Sequence, residues 1–174
     1  MATYWGLFFV TFNLKGAIPK EVLNRLQEEK RLALHRIGDQ GRGTDERYAE
    51  HKRYFARVDY FLDTSQFGPD WLKLPERAGI LKTKLHQYDT YYYELLAYCV
   101  MSNHVHMVVN LSFQLDTINA DDVINEQNYK SLYTAIKRIK GGSALLANRL
   151  LNRAGSFWQP ESYDHYVRNA DELN

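Results

Sequence analysis

Apolar and aromatic side chains crowd into four short stretches of the chain. Between these stretches they are interspersed with polar and charged residues, in places at helical spacing. Residues 4–14 (YWGLFFVTFNL) are aromatic and β-branched almost throughout, which predicts a strand. Residues 91–101 (YYYELLAYCVM) predict a second strand and residues 104–111 (HVHMVVNL) a third. The tight Met101-Ser102-Asn103 connection makes these two a hairpin. Residues 156–166 predict a fourth, edge-like strand interrupted at Pro160. Helical spacing appears at Val22, Leu23, Leu26 and Ala33, after Pro19, where a first turn tolerates proline. A second helix is expected over 75–87 and the clearest one over 129–151. There Leu132, Ile136, Ile139, Leu146 and Leu150 form a stripe, with Ser143 filling its gap. Gly141-Gly142 weakens that helix by about 1 kcal/mol per glycine relative to alanine, so a close neighbour or a kink is expected there.

Three stretches are less decided. Residues 37–57 are polar and read as a loop followed by a surface helical insertion. Residues 54–63 fit a short strand or a helix end equally well. Residues 113–127 read as an acidic irregular connector, and 169–173 as the start of a further helix. The order strand, helix, helix, strand, strand, helix, strand predicts an α+β fold. The expected form is a single domain over 1–174 with a ferredoxin-like antiparallel sheet and helices packed on one face.

Composition narrows the class. The 174 residues are 45% hydrophobic, 25% charged and 14% aromatic, which supports one packed domain and excludes disorder throughout. The longest apolar run, 95–101, is far shorter than the roughly 20 residues that span a bilayer. The N-terminal Met1-Ala2-Thr3-Tyr4-Trp5 lacks the basic and small-residue features of a signal peptide. The single cysteine, Cys99, allows no internal disulfide and reads as a small buried hydrophobe in its strand. A cytoplasmic protein is expected. The net charge is only +1, but its distribution is uneven. Between residues 128 and 153 lie Lys130, Lys137, Arg138, Lys140, Arg149 and Arg153, with no acidic residue. Such segregation points to a local anionic partner.

His104 and His106 are the sharpest chemical feature. Residues i and i+2 of a strand share a face about 6.5–7 Å apart, so both imidazoles can converge on one divalent cation. The spacing alone is weak: six histidines in this chain give roughly 0.2 such pairs by chance.

The surrounding residues are more specific. The run from Tyr98 through Val109, containing Val100-Met101-Ser102-Asn103-His104-Val105-His106, resembles the A-Y-x-V-M-P-N-H-V-H segment of the REP-associated tyrosine transposases. These are a branch of the single-tyrosine HUH (His–hydrophobic–His) transposases. Ser102 stands where the family usually has proline. Phe157-Trp158-Gln159, Tyr163-Asp164-His165 and Arg168-Asn169 are similar to its F-W-Q-x-x-x-Y-D-H-x-x-R-N segment. Phe9 through Leu14 with Pro19 resembles its first strand and turn. Phe61-Leu62-Asp63 and Gly68-Pro69-Asp70-Trp71-Leu72 resemble a stretch of one subgroup.

The resemblance implies a metal-dependent single-stranded DNA endonuclease and strand transferase acting on DNA hairpins. His104 and His106 would hold Mg²⁺ or Mn²⁺, and a tyrosine would form a 5′-phosphotyrosine intermediate. The family places that tyrosine in a later Y-I-x-x-N-P segment, which nothing in residues 1–174 matches. The expectation is a nucleophile beyond Asn174, with Tyr163 as the alternative within the chain. If neither serves, the chain is a catalytically inactive hairpin-binding module. Lys130, Lys137, Arg138 and Lys140 are expected on DNA phosphates; Tyr91, Tyr92 or Trp158 could stack on unpaired bases where exposed, but for any one of them core packing is the commoner role. Either a monomer or a homodimer is compatible with the family. Asp164 and His165 could add a third metal ligand, but hydrogen bonding at a strand end is the better explanation of them.

Overall fold

Four strands hydrogen-bond into one sheet, and the computed structural model places four α-helices around it; it describes residues 6–39, 41, 43–65, 67–118, 123–125 and 128–167. The strands are β1 (Leu7–Asn13), β2 (Glu94–Val100), β3 (His104–Asn110) and β4 (Tyr163–Val167). The helices are α1 (Lys20–Asp39), α2 (Thr44–Thr64), α3 (Pro75–Gln87) and α4 (Leu132–Leu150). The sheet order is β2-β3-β1-β4, with every pairing antiparallel. This is the expected α+β, ferredoxin-like arrangement: β2 and β3 form a hairpin, and helical crossovers carry the chain from β1 to β2 and from β3 to β4.

The alternation along β1 divides the molecule into layers. Phe8, Val10 and Phe12 lie opposite Val109, Met107 and Val105 of β3, and all six are buried in the main core. Here α3 and α4 cover the sheet. Trp158 packs edge-on against Phe12 with ring centroids 4.9 Å apart, and its indole N–H donates to Ser143 of α4 at 3.0 Å. Ser143 thus fills the helix stripe as expected, but the stripe continues differently. The buried side of α4 is Ala135, Ile136, Ile139, Ser143 and Ala147, whereas Leu146 and Leu150 are exposed. Trp158 and Tyr92 are likewise core residues, not exposed stacking platforms, while Tyr91 is exposed. The expected close neighbour of the glycine pair is Lys84 of α3, whose Cε lies 3.1 Å from where a Gly142 Cβ would sit.

The opposite face of the sheet is not bare. Residues 54–63, undecided from sequence, are the C-terminal half of α2, and this helix crosses that face. Its buried residues are Glu50, Tyr54, Val58 and Leu62, and Phe55 meets Phe9 of β1 edge-on at 5.5 Å. The stretch expected as a polar insertion, 37–57, is therefore the end of α1 and the first two-thirds of α2, with α1 packed outside α2. Cys99 also differs from expectation: it is exposed on β2, at the sheet edge. The expected helix start at 169–173 lies outside the described residues. Among those described, no helix is long and apolar enough to cross a membrane.

Two glycines have opposite roles. Gly68 has φ +84° and packs so closely that a Cβ would lie 2.4 Å from the Gly16 carbonyl oxygen. Gly141 is helical, and a Cβ there would meet nothing within 4 Å. In urea denaturation, Gly141→Ala should raise stability by about 0.5–1 kcal/mol. Gly68→Ala should lower it by about 1–2 kcal/mol from backbone strain alone, with the clash adding to the loss.

Candidate metal centre

The second face of the sheet changes character along β1. Phe9 and its partner Val108 are apolar; then come Thr11 opposite His106 and Asn13 opposite His104. Helix α2 changes in step: Phe55 lies over Phe9, and Asp59 and Asp63 follow at one-turn intervals. Residues four apart share a helix side, so both carboxylates are carried down onto the polar end of the strands.

The histidines converge as their spacing predicts. Their Nε2 atoms are 2.8 Å apart, and the rings stand nearly perpendicular, 81° between planes. Asp63 Oδ1 lies 3.3 Å from His104 Nε2. Asp63, His104 and His106 each offer a ligand atom, all within 4.8 Å of one another.

The hydrogen bonds behind the rings decide what these nitrogens present. Asn103 donates its amide N–H to the Leu62 carbonyl at 3.4 Å, which turns its Oδ1 toward His104 Nδ1 at 2.6 Å. An amide oxygen only accepts, so His104 carries its proton on Nδ1 and a lone pair on Nε2. The Thr11 hydroxyl donates to Asp59 Oδ1 at 3.0 Å. Its oxygen is thereby left to accept from His106 Nδ1 at 2.8 Å, so His106 Nε2 is also left with its lone pair. Two lone pairs facing each other at hydrogen-bond distance repel unless a proton or a cation lies between them. Adjacent ligands at about 2.0–2.1 Å from a small divalent ion are themselves roughly 2.8–3.0 Å apart. The residues present therefore fit a divalent cation.

His104 is 1% exposed, and burial, together with the neighbouring His106, pushes its pKa down to about 4 against the opposing pull of Asp63. It stays neutral at physiological pH, as a ligand must. Burial raises the pKa of Asp59, and His106 and the Thr11 hydroxyl oppose that rise.

The other expected site residues are not brought here. Tyr163 is on the histidine-bearing face, opposite Thr11. However, it is 6% exposed under α2, its ring 5.9 Å from that of Tyr54. Burial raises its hydroxyl pKa, the opposite of activation for attack. Asp164 points to the other face, beside Val10, and His165 packs between Tyr48 and Phe55, so neither joins the cluster. The basic segment lies across the sheet from the histidines. Lys137 and Arg138 are exposed on α4 and Lys130 is half-buried ahead of it. Lys140 is committed elsewhere: its ammonium donates to the carbonyls of Pro160 and Glu161 at 2.9 and 3.0 Å and to Ser162 Oγ at 3.2 Å. Burial pushes its pKa down to about 8. Asp59, Asp63, Thr11 and Asn103 were given no site role from the sequence. Thr11, Asp63 and Asn103 lie in the transposase-like segments, and the Asp59/Asp63 spacing would have signalled the pair only with 54–63 taken as helix.

No known protein-family profile and no curated protein matches the chain. Two solved structures overlap it loosely, each at 14% identity. One is a REP-associated tyrosine transposase bound to a REP hairpin, with 99% of this chain covered and a TM-score of 0.45. The other, from Deinococcus radiodurans, is assigned as a transposase, with 98% of this chain and 85% of that one covered and a TM-score of 0.36. The chain spans 64% of the length of the first. Overlap this loose does not by itself establish membership of a family or an activity.

The burial of His104 sets a pH dependence. Below its ordinary pKa of 6.5 the unfolded chain takes up a proton that the folded chain refuses until about pH 4. The unfolded state binds more protons in this window, so stability rises with pH across it. Metal-free protein should lose about 3 kcal/mol from this residue between pH 6.5 and 4. In urea melts across the window, His104→Gln should show a shallower slope than the wild type.

Proposed function

We propose that the chain is a metal-dependent single-stranded DNA endonuclease and strand transferase, a transposase acting on hairpin DNA through a 5′-phosphotyrosine intermediate. The observation that carries this reading is the pair of Nε2 atoms 2.8 Å apart, both Nδ1 atoms already engaged, with the Asp63 carboxylate alongside. The likeness of residues 98–109 and 157–169 to the HUH transposase segments supports it. His104, His106 and Asp63 would hold Mg²⁺ or Mn²⁺. When bound, such an ion neutralises charge developing on a scissile phosphate. The three side chains supply two neutral donors and one anionic donor and leave room for phosphate oxygens. Lys137 and Arg138 offer cations to the DNA backbone from the other face of the sheet.

The burial of Tyr163 favours a second reading, a hairpin-binding module that does not cleave. A hairpin oligonucleotide with a single-stranded extension distinguishes the two. The first reading expects a covalent protein–DNA adduct on a denaturing gel in Mn²⁺. The second expects salt-sensitive binding without an adduct, and absence of both refutes the proposal. His104→Ala and His106→Ala should each weaken Mn²⁺ binding by at least about 100-fold in calorimetry. Lys137→Ala should reduce the slope of log affinity against log salt by about 1 if it contacts a phosphate.

A further inference from the structure

We propose that Asp59 is a positioning residue: acting through Thr11, it holds His106 with its proton on Nδ1 and so keeps Nε2 open to a cation. This rests on the metal-binding reading and adds residues that hold the ligands without being ligands. Asp59 is set apart from Asp63 by geometry. Its Oδ1 is 3.8 Å from Nδ1 of His106, the nitrogen turned away from the cluster, and 3.0 Å from the Thr11 hydroxyl. Asp63 instead lies 3.3 Å from the Nε2 side of His104.

Thr11 is fully buried on the central strand, so its single hydroxyl hydrogen cannot be shared with solvent. An ionised carboxylate can only accept, and the hydrogen therefore goes to Asp59. The threonine oxygen is then an acceptor for His106, and the imidazole proton is fixed on Nδ1.

Removal of the carboxylate changes this. The Thr11 hydroxyl can turn and donate to Nδ1, His106 moves its proton to Nε2, and that N–H donates to His104 Nε2, 2.8 Å away. Every group is then paired, and the cation site is closed. Asp59 thus keeps the two rings from satisfying one another. Asn103 does the same for His104 with one direct hydrogen bond. The carboxylate–hydroxyl–imidazole chain is a longer form of the carboxylate–histidine pairing that commonly orients metal ligands.

The test uses the whole chain and two readouts: histidine ¹⁵N chemical shifts, which report the tautomer, and Mn²⁺ affinity by calorimetry. Asp59→Ala should move His106 from the Nδ1–H to the Nε2–H form and weaken Mn²⁺ binding by 10–100-fold. Asp63→Ala should weaken binding with the tautomer unchanged. Thr11→Val should lose the Nδ1–H preference, and Thr11→Ser, which keeps the hydroxyl, should restore it, so the threonine pair decides the matter if Asp59→Ala does not fold. Asp59→Ala with the Nδ1–H tautomer retained and affinity within twofold of wild type overturns the proposal, as does Thr11→Val behaving like Thr11→Ser. Wild-type protein that binds no Mn²⁺ defeats the metal reading instead, and the tautomer comparison still tests the relay.

Discussion

Two imidazole nitrogens that both present lone pairs, 2.8 Å apart in a half-buried cluster, are the constraint around which the polar end of this fold is organised. Left alone, the rings would pair with each other, one donating and one accepting. They are prevented by groups on three different elements. Asn103 comes from the hairpin turn, Thr11 from the central strand, and Asp59 from α2. The turn is itself held: the Asn103 carbonyl accepts from Leu14 N–H at 2.8 Å, and its amide reaches Leu62 at the end of α2. A buried group left unpaired costs about 1–3 kcal/mol, so an arrangement that withholds mutual pairing from two histidines is explained most simply by a ligand that both receive.

The layers explain how the chain reaches this state. Alternation on β1 gives one face to Phe8, Val10 and Phe12 and the other to Phe9, Thr11 and Asn13. The first face is sealed by α3 and α4, where the packing is apolar. The second is covered by α2 over β1 and β4, while the exposed Cys99 marks the uncovered side on β2. The cluster thus sits between a helix that supplies carboxylates and the side of the sheet that is open to solvent at Cys99. The cationic residues of α4 are on the far side. Any nucleic acid that touches both Lys137 and the cluster must pass around a sheet edge.

Much of this architecture was legible in the sequence, for physical reasons that differ by element. The central strands carry dense β-branched and aromatic runs, and α3 is bounded by Pro75, so these elements are locally specified. The histidine pair was legible because a strand has a fixed two-residue period. Helix α2 was not, since residues 54–63 alternate aromatic, aliphatic and acidic side chains in a pattern that fits either period, and only contact with Phe9 and the polar end of the sheet selects the helix. Asp59 and Asp63 were hidden with it. Lys140 was misjudged for a related reason. Its ammonium suggested DNA, but the carbonyls of 160–161 satisfy it inside the fold. The stripe on α4 was displaced because Ala147, a small residue with little hydrophobic signal, packs where Leu146 had been expected.

The most direct test of the account is a crystal of this chain soaked in Mn²⁺ and measured at a wavelength where manganese scatters anomalously. The account predicts a single anomalous peak bound by Nε2 of His104, Nε2 of His106 and the Asp63 carboxylate, with Asp59 still on Thr11. Two rings hydrogen-bonded to each other, with no peak between them at saturating metal, would contradict it.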